Sequence, residues 1–201
     1  MPRVQLPVVT PKRKAWNKGR IIGQKRPLLP KQVWAICARI EIAEYLRDFA
    51  LFNVAIDSKL LGCDLVKLSA SDLVEDDRVR ERVSVIQSKT TQPVQSELTE
   101  NTRDTVIAWV RPPEMSTCQF KFLSHFHDRP HISTRHYGRL VRDRVRAIGL
   151  EPSGYGTHSL SRTKAAEIYR KTGNLRVCSL CLVTPSSIAP CVFSASSSKT
   201  L

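Results

Sequence analysis

Acidic residues are missing from both ends of this 201-residue sequence. None occurs in residues 1–40, and none from Val177 to the last residue. Over the whole chain 32 Lys and Arg stand against 18 Asp and Glu, a formal net charge of +14. That imbalance calls for a polyanionic partner, and nucleic acid is the usual one. Long apolar runs are missing too. No stretch approaches the roughly 20 residues that cross a bilayer, and the first residues lack the apolar core of a secretory leader. A cytoplasmic, DNA-associated protein with no membrane partner is therefore expected. The six cysteines follow no disulfide-framework spacing, which suits a reducing compartment. Cys178 and Cys181 form a lone C-x-x-C, and only Cys191 follows, so a zinc site would lack ligands. His125, His127, Asp128 and His131 cluster without the spacing of a metal scaffold. Neither a metal nor a cofactor is expected.

What is present divides into three parts. Residues 1–29 form a basic arm, with Lys12, Arg13 and Lys14 at its centre and Pro2, Pro7, Pro11 and Pro27 breaking regular structure. Residues 30–176 carry the periodic patterns of one domain, a length that can bury a core. Residues 177–201 are rich in Ser, Pro, Ala, Thr and Cys and read as an irregular tail.

Within the middle part, Pro30 is a favourable first helical residue. Val33, Trp34, Ile36, Cys37 and Ile40 follow at helical spacing, with Trp34 expected to pack. A second helix is expected over Ala43 to Ile56. Val83–Gln87 and Gln92–Leu98 are extended and flank Ser88-Lys89-Thr90-Thr91, which makes a hairpin. Thr99 caps a helix that must stop before Pro112-Pro113. Ser133 or Thr134 caps another, through Val141, Val145 and Ile148. Its polar side shows Arg135, Arg139, Arg142, Arg144 and Arg146. Arg135, Arg139, Arg142 and Arg146 recur at steps of three and four residues and so share one face. That face and the arm are the candidate phosphate contacts. The fold class is α+β, mainly helical, with a small antiparallel hairpin sheet.

The stretch Gly154-Tyr155-Gly156-Thr157-His158-Ser159-Leu160-Ser161-Arg162-Thr163 is a turn that delivers a helix, with His158 at the helix mouth, where outward N–H groups favour an anion. From Gly154 to Asn174 the sequence resembles the tyrosine recombinase (phage integrase) family, in which the corresponding helix carries a THxxRxTxA pattern. The resemblance extends upstream to about Pro30. Asp57-Ser58-Lys59-Leu60-Leu61-Gly62-Cys63-Asp64-Leu65-Val66-Lys67-Leu68 is similar to the family's first catalytic box, and Lys89 matches the lysine of its hairpin.

The resemblance implies a DNA breaking and rejoining chemistry, DNA integration and recombination, with double-stranded DNA and further recombinase protomers as partners. A tyrosine attacks the phosphodiester, two arginines neutralise the charge that develops, and Lys and His move protons. Of that set the chain keeps Lys89 and His158. Leu61 and Ser161 stand at the two arginine positions, Thr184 where a second histidine is expected, and Phe193 near the tyrosine position. Arg162 lies one residue past Ser161, about 100° further round the helix, and is the candidate substitute. A DNA-binding protein of this family without cleavage activity is the reading that results. The alternative is a non-catalytic remnant or a degraded product with no role.

The tail also carries a trace of the missing box. Val183 to Ala195 can be encoded so that, read one base earlier, the same bases give G-H-T-K-L-D-S-T-V-R-F-L-G. That string is similar to the family's LGHTxxxxTxxYL box. In that frame the nucleophile codon ends in TT and cannot encode tyrosine. The expectation is a shifted reading frame from about Val177, plus a separate loss of the nucleophile. Sequencing codons 177 to 201 checks it: codons incompatible with the shifted box refute the idea.

Overall fold

The computed structural model describes residues 24–75, 78–112, 122–124 and 130–182. Helix α1 (Pro30–Ile42) and helix α2 (Leu46–Ser58) open the domain. Two short helices follow, α3 (Gly62–Leu65) and α4 (Ala70–Leu73). Strands β1 (Val74–Glu75) and β2 (Arg78–Val79) pair antiparallel, as do β3 (Arg82–Ile86) and β4 (Pro93–Glu97). Helix α5 (Glu100–Val110), helix α6 (Thr134–Ala147), a 3-10 turn (Pro152–Gly154), helix α7 (Thr157–Thr172) and helix α8 (Leu175–Leu182) complete the described elements. The mixed, mainly helical class is as the sequence indicates.

Helix α2 is the centre. Its run Ala50, Leu51, Phe52, Asn53, Val54, Ala55 is buried on all sides, as a helix apolar all round should be. It packs against α1, β4, α5 and α7. It begins later than the pattern suggests, because Glu44 takes a left-handed φ of 55° and interrupts the run from α1. Ile36 and Ile40 face this core from α1. Trp34, expected to pack, is instead 76 % exposed. It lies two residues, about 200° round the helix, from Ile36 and cannot share its face.

The hairpin has the expected limits. Arg82 pairs with Glu97 and Ile86 with Pro93, leaving a tight connection through Lys89. The Gln87 carbonyl accepts from the Thr91 N–H at 2.9 Å, and Thr91 adopts φ 54° to close the turn. Val83 and Ser96 point inward. The small β1–β2 pair, too short to leave a pattern, was not anticipated.

Two ion pairs join elements far apart in sequence. At the end of α2, Asp57 is 6 % exposed. Its Oδ1 accepts from Lys164 Nζ of α7 at 2.9 Å. Its Oδ2 accepts from Thr99 N at 2.9 Å, Thr99 Oγ1 at 2.7 Å and Thr102 Oγ1 at 2.6 Å. The side chain of Thr99 is therefore turned to Asp57 and does not cap α5 in the ordinary way. Asp48, near the start of α2, holds Arg47 at 2.8 Å and Arg144 of α6 at 2.7 Å. The expected boundaries also shift. Residues 25–28, counted with the arm, bond to the domain. The expected tail boundary at Val177 falls inside α8, whose Cys178 Sγ donates to the Ala165 carbonyl.

The Asp57 site makes a stability prediction. Burial alone would push its carboxyl up, but the Lys164 ammonium and the hydrogen bonds from Thr102 and Thr99 outweigh burial and hold it below the ordinary 3.8. A carboxyl lowered on folding stabilises fully above its unfolded pKa and loses that effect as pH falls through the folded value. Asp57→Asn should cost about 3 kcal/mol at pH 7, the low end for a broken buried pair, since Lys164 keeps 24 % exposure and can reach water. The gap between wild type and variant should narrow below about pH 4. Urea melts across pH check this; a gap that does not change with pH refutes it.

Candidate functional site

Two stretches singled out in the sequence meet at Thr157, the first residue of α7, and a third is tied to one of them. The first is α3. A Cβ at Gly62 would come within 3.2 Å of the Tyr137 ring of α6 and 3.4 Å of Thr157 Cβ, so a side chain here would push these neighbours apart by a few tenths of an ångström. The second is α6, where Gly138 faces Thr157 Cγ2 at 3.8 Å by the same construction. The third is the hairpin. Asp64 of α3, 2 % exposed, accepts through Oδ1 from Ser88 N at 3.1 Å and Ser88 Oγ at 2.5 Å. Ser88 immediately precedes Lys89. These contacts involve Gly62, Ser88 and Thr157, the sequence neighbours of Leu61, Lys89 and His158.

Leu61 and Ser161 bring no charge to this part of the chain. Leu61 is the N-cap residue of α3 and offers no donor. One turn on, Asp64 Oδ2 is buried and has no hydrogen-bond partner among the described residues. A buried carboxylate oxygen without a donor is costly, and here it sits beside the position where the resemblance calls for an arginine. Ser161 Oγ donates to the His158 carbonyl at 3.2 Å, a local bond within α7. His158 and Lys89 are exposed. Helix α7 begins at Gly156 in extended backbone, and the Gly156 N–H donates to Ser159 Oγ at 3.1 Å.

Arg162 does not face this region as a free cation. Its Nη1 donates to the Lys25 carbonyl at 2.9 Å. The extra 100° that separates it from Ser161 turns it to the N-terminal segment. Arg144, counted on the polar side of α6, is also turned in. It pairs with Asp48 and lies over the Tyr45 ring at 4.9 Å. The remaining arginines of α6 keep their expected face. Arg135, Arg139, Arg142 and Arg146 are all exposed, opposite the buried stripe Tyr137, Val141, Val145. Ser133 caps this helix by accepting from His136 N at 3.1 Å. Arg146 also reaches Asp143 at 2.7 Å, an exposed pair that contributes little and stays open to competition.

Among the tyrosines, Tyr137 is fully buried and burial pushes its hydroxyl strongly up, so its oxygen is a poor nucleophile. Tyr45 is engaged beneath Arg144. Lys12, Arg13, Lys14, His125, His127, Asp128, Thr184 and Phe193 lie outside the described residues. Among the described residues no group of three or more His, Cys, Asp or Glu is arranged to hold a metal, and no helix is long and apolar enough to cross a membrane.

The overall arrangement has known counterparts. The crystal structure of XerA recombinase superposes with a TM-score of 0.64 at 18 % identity, over 80 % of this chain and 56 % of that one. The chain has the tyrosine recombinase catalytic-domain fold. The Tn1549 transposon integrase in complex with a circular intermediate DNA gives a TM-score of 0.63 at 16 % identity, over 82 % of this chain and 59 % of that one. The lambda integrase (residues 75–356) bound to DNA gives 0.59 at 17 % identity, over 85 % and 61 %. This chain thus spans little more than half the length of the solved structures it matches. No protein-family model and no curated protein matches the sequence. The recombinase fold therefore rests on geometry, and the motif match in the sequence is independent of it.

Proposed function

We propose that this chain is a DNA-binding domain of the phage integrase type that no longer cleaves DNA. The observation that carries the reading is the row Arg135, Arg139, Arg142 and Arg146, exposed on one face of α6 while Arg144 of the same helix is turned into the protein. The N-terminal half of that helix touches the mouth of α7, so the row borders the region around His158. With the acid-free arm it offers phosphates a one-signed surface. The ligand is double-stranded DNA, and other recombinase protomers on the same DNA are the natural protein partners. Binding of this kind is tolerant of sequence, because phosphate contacts position a protein without reading bases.

Inactivity rests on what surrounds His158 and Lys89. Two charge-neutralising positions are Leu61 and Ser161, and Arg162 is held by a backbone carbonyl. Loss of one such group commonly costs about 10²–10³ in rate. No tyrosine follows Tyr169 in the sequence.

Two measurements test these points. Titration of labelled duplexes at several salt concentrations should give similar affinities for unrelated sequences. The log–log salt slope should be steep and should fall by up to about 3.6 units when Arg135, Arg139, Arg142 and Arg146 are all changed to Gln, since each phosphate contact contributes about 0.9. An unchanged slope would remove α6 from the interface. Incubation with a nicked suicide duplex should give no protein–DNA band that survives denaturation, in wild type or in Ser161→Arg. An adduct mapped to Tyr45, Tyr137, Tyr155 or Tyr169 would falsify the claim of inactivity.

A further inference from the structure

Helices α1 and α5 both pack on α2, and a groove of about 670 Å³ runs between them. Its floor is Phe49, Asn53 and Ile56, one face of α2 at steps of four and three residues. Asn53 ties the two walls together. Its Oδ1 accepts from Cys37 Sγ of α1 at 3.6 Å, and its Nδ2 donates to Thr105 Oγ1 of α5 at 3.4 Å. Trp34, Tyr45 and Leu46 also line the groove and are 76 %, 55 % and 45 % exposed. Aromatic side chains left open beside a groove are the type that anchors protein partners. Glu41, Glu44 and Asp104 stand among them, all exposed. None of these three forms an ion pair among the described residues. No Lys or Arg lines the groove, although the chain carries a net charge of +14. Arg144, which lies over the Tyr45 ring, is committed to Asp48, and Asp57 is neutralised by Lys164. Burial and, after it, the Glu41 charge push the Cys37 thiol up to about 11, so the uncompensated charge is felt inside the groove.

We propose that this groove docks a basic amphipathic helix of a partner protein. Apolar side chains of that helix enter over Phe49 and Ile56, and its Lys or Arg flanks meet Glu41, Glu44 and Asp104. A helix laid in a groove presents anchors at steps of three, four and seven residues, which matches the spacing of the floor. The proposal goes beyond the DNA-binding reading. Three unpaired carboxylates repel a duplex, so the groove is no part of a phosphate surface. A second copy of this chain fits less well. Its arginine-bearing helix α6 turns Tyr137, Val141 and Val145 into its own core, so it offers cations but no anchor for the floor.

Fluorescence anisotropy on the full-length chain, with no DNA present, tests this. The probe is a labelled helical peptide of repeated Leu-Lys-Lys-Leu-Leu-Lys-Leu units, and its control has Glu in place of every Lys. The basic peptide should bind saturably and the acidic one should not. Glu41→Gln, Glu44→Gln and Asp104→Asn together should weaken the basic peptide about tenfold, the scale of three exposed charge pairs. Asp143→Asn, Glu151→Gln and Glu167→Gln together, acids outside the groove, should change it less than about 1.5-fold. Trp34→Ala should weaken it about thirtyfold, the scale of a lost aromatic anchor, and an exposed Trp can be removed without unfolding the domain. Absence of saturable binding overturns the proposal, as does an equal loss from the two sets of acids. Self-association that Trp34→Ala abolishes also overturns it, because a second copy would then hold the groove. So does faster tryptic cleavage after Lys14 in Trp34→Ala without peptide, because the chain's own arm would then be the occupant. Since no duplex takes part, a failure of the DNA-binding reading leaves these outcomes unchanged.

Discussion

The Asp57–Lys164 pair is the interaction on which the arrangement of helices depends. It sits where α2 ends, where α5 begins and midway along α7, and no other described side chain joins these three elements through both carboxylate oxygens. The central helix α2 can be buried on all sides only if its C-terminal end finds polar partners there, and Asp57 supplies them. The hydroxyls of Thr99 and Thr102 then turn inward, and the first turn of α5 is set by that carboxylate. Removing it would leave an ammonium and several donors without their common acceptor, which is why its cost exceeds that of a surface pair. The orientation of α7, and hence of its mouth at Thr157, follows from this point.

The second constraint is close approach. Gly62, Tyr137 and Thr157 meet so closely that a Cβ at position 62 would press on the Tyr137 ring at 3.2 Å. This contact, with the Asp64–Ser88 bonds, ties α3 to α6, to the mouth of α7 and to the hairpin. None of these residues carries the chemistry itself. The side chains that make these contacts are not Leu61 or Ser161, so the packing does not depend on what stands at those two positions. A leucine at an N-cap and a serine bonded to a local carbonyl disturb little packing. Asp64 Oδ2 lies buried beside them without a donor among the described residues.

Much of this was legible in the sequence, and what was legible was local. Pro30 and Gly173 mark helix ends, Ser133 caps α6, and the hairpin limits follow from turn residues and alternation. The arginine face of α6 could be read because its spacing is a property of one helix. Side chains whose partners lie far off in sequence could not be read. Trp34 looked like core because the pattern is apolar, yet only partners across the core decide which face is used. Arg144 looked like surface until Asp48 and Tyr45, nearly a hundred residues earlier, were brought beside it. Lys25, Arg26 and Leu28 read as arm because proline and charge dominate there; their acceptors at Ser153, Gly154 and Thr163 come only with the tertiary fold.

The arginines show how a strongly basic chain divides its charge. A guanidinium presents several donors in a plane, and it can hold either a carboxylate or carbonyl of its own fold or a phosphate outside it. Arg47 and Arg144 are committed to Asp48, and Arg162 to Lys25. These bind the domain together and are largely withdrawn from solvent. The exposed row on α6 has only Asp143 as a local competitor, in a pair weak enough for a phosphate to displace. Net charge alone therefore overstates the interface. The cations that could release counterions from a duplex are those the fold has not already used.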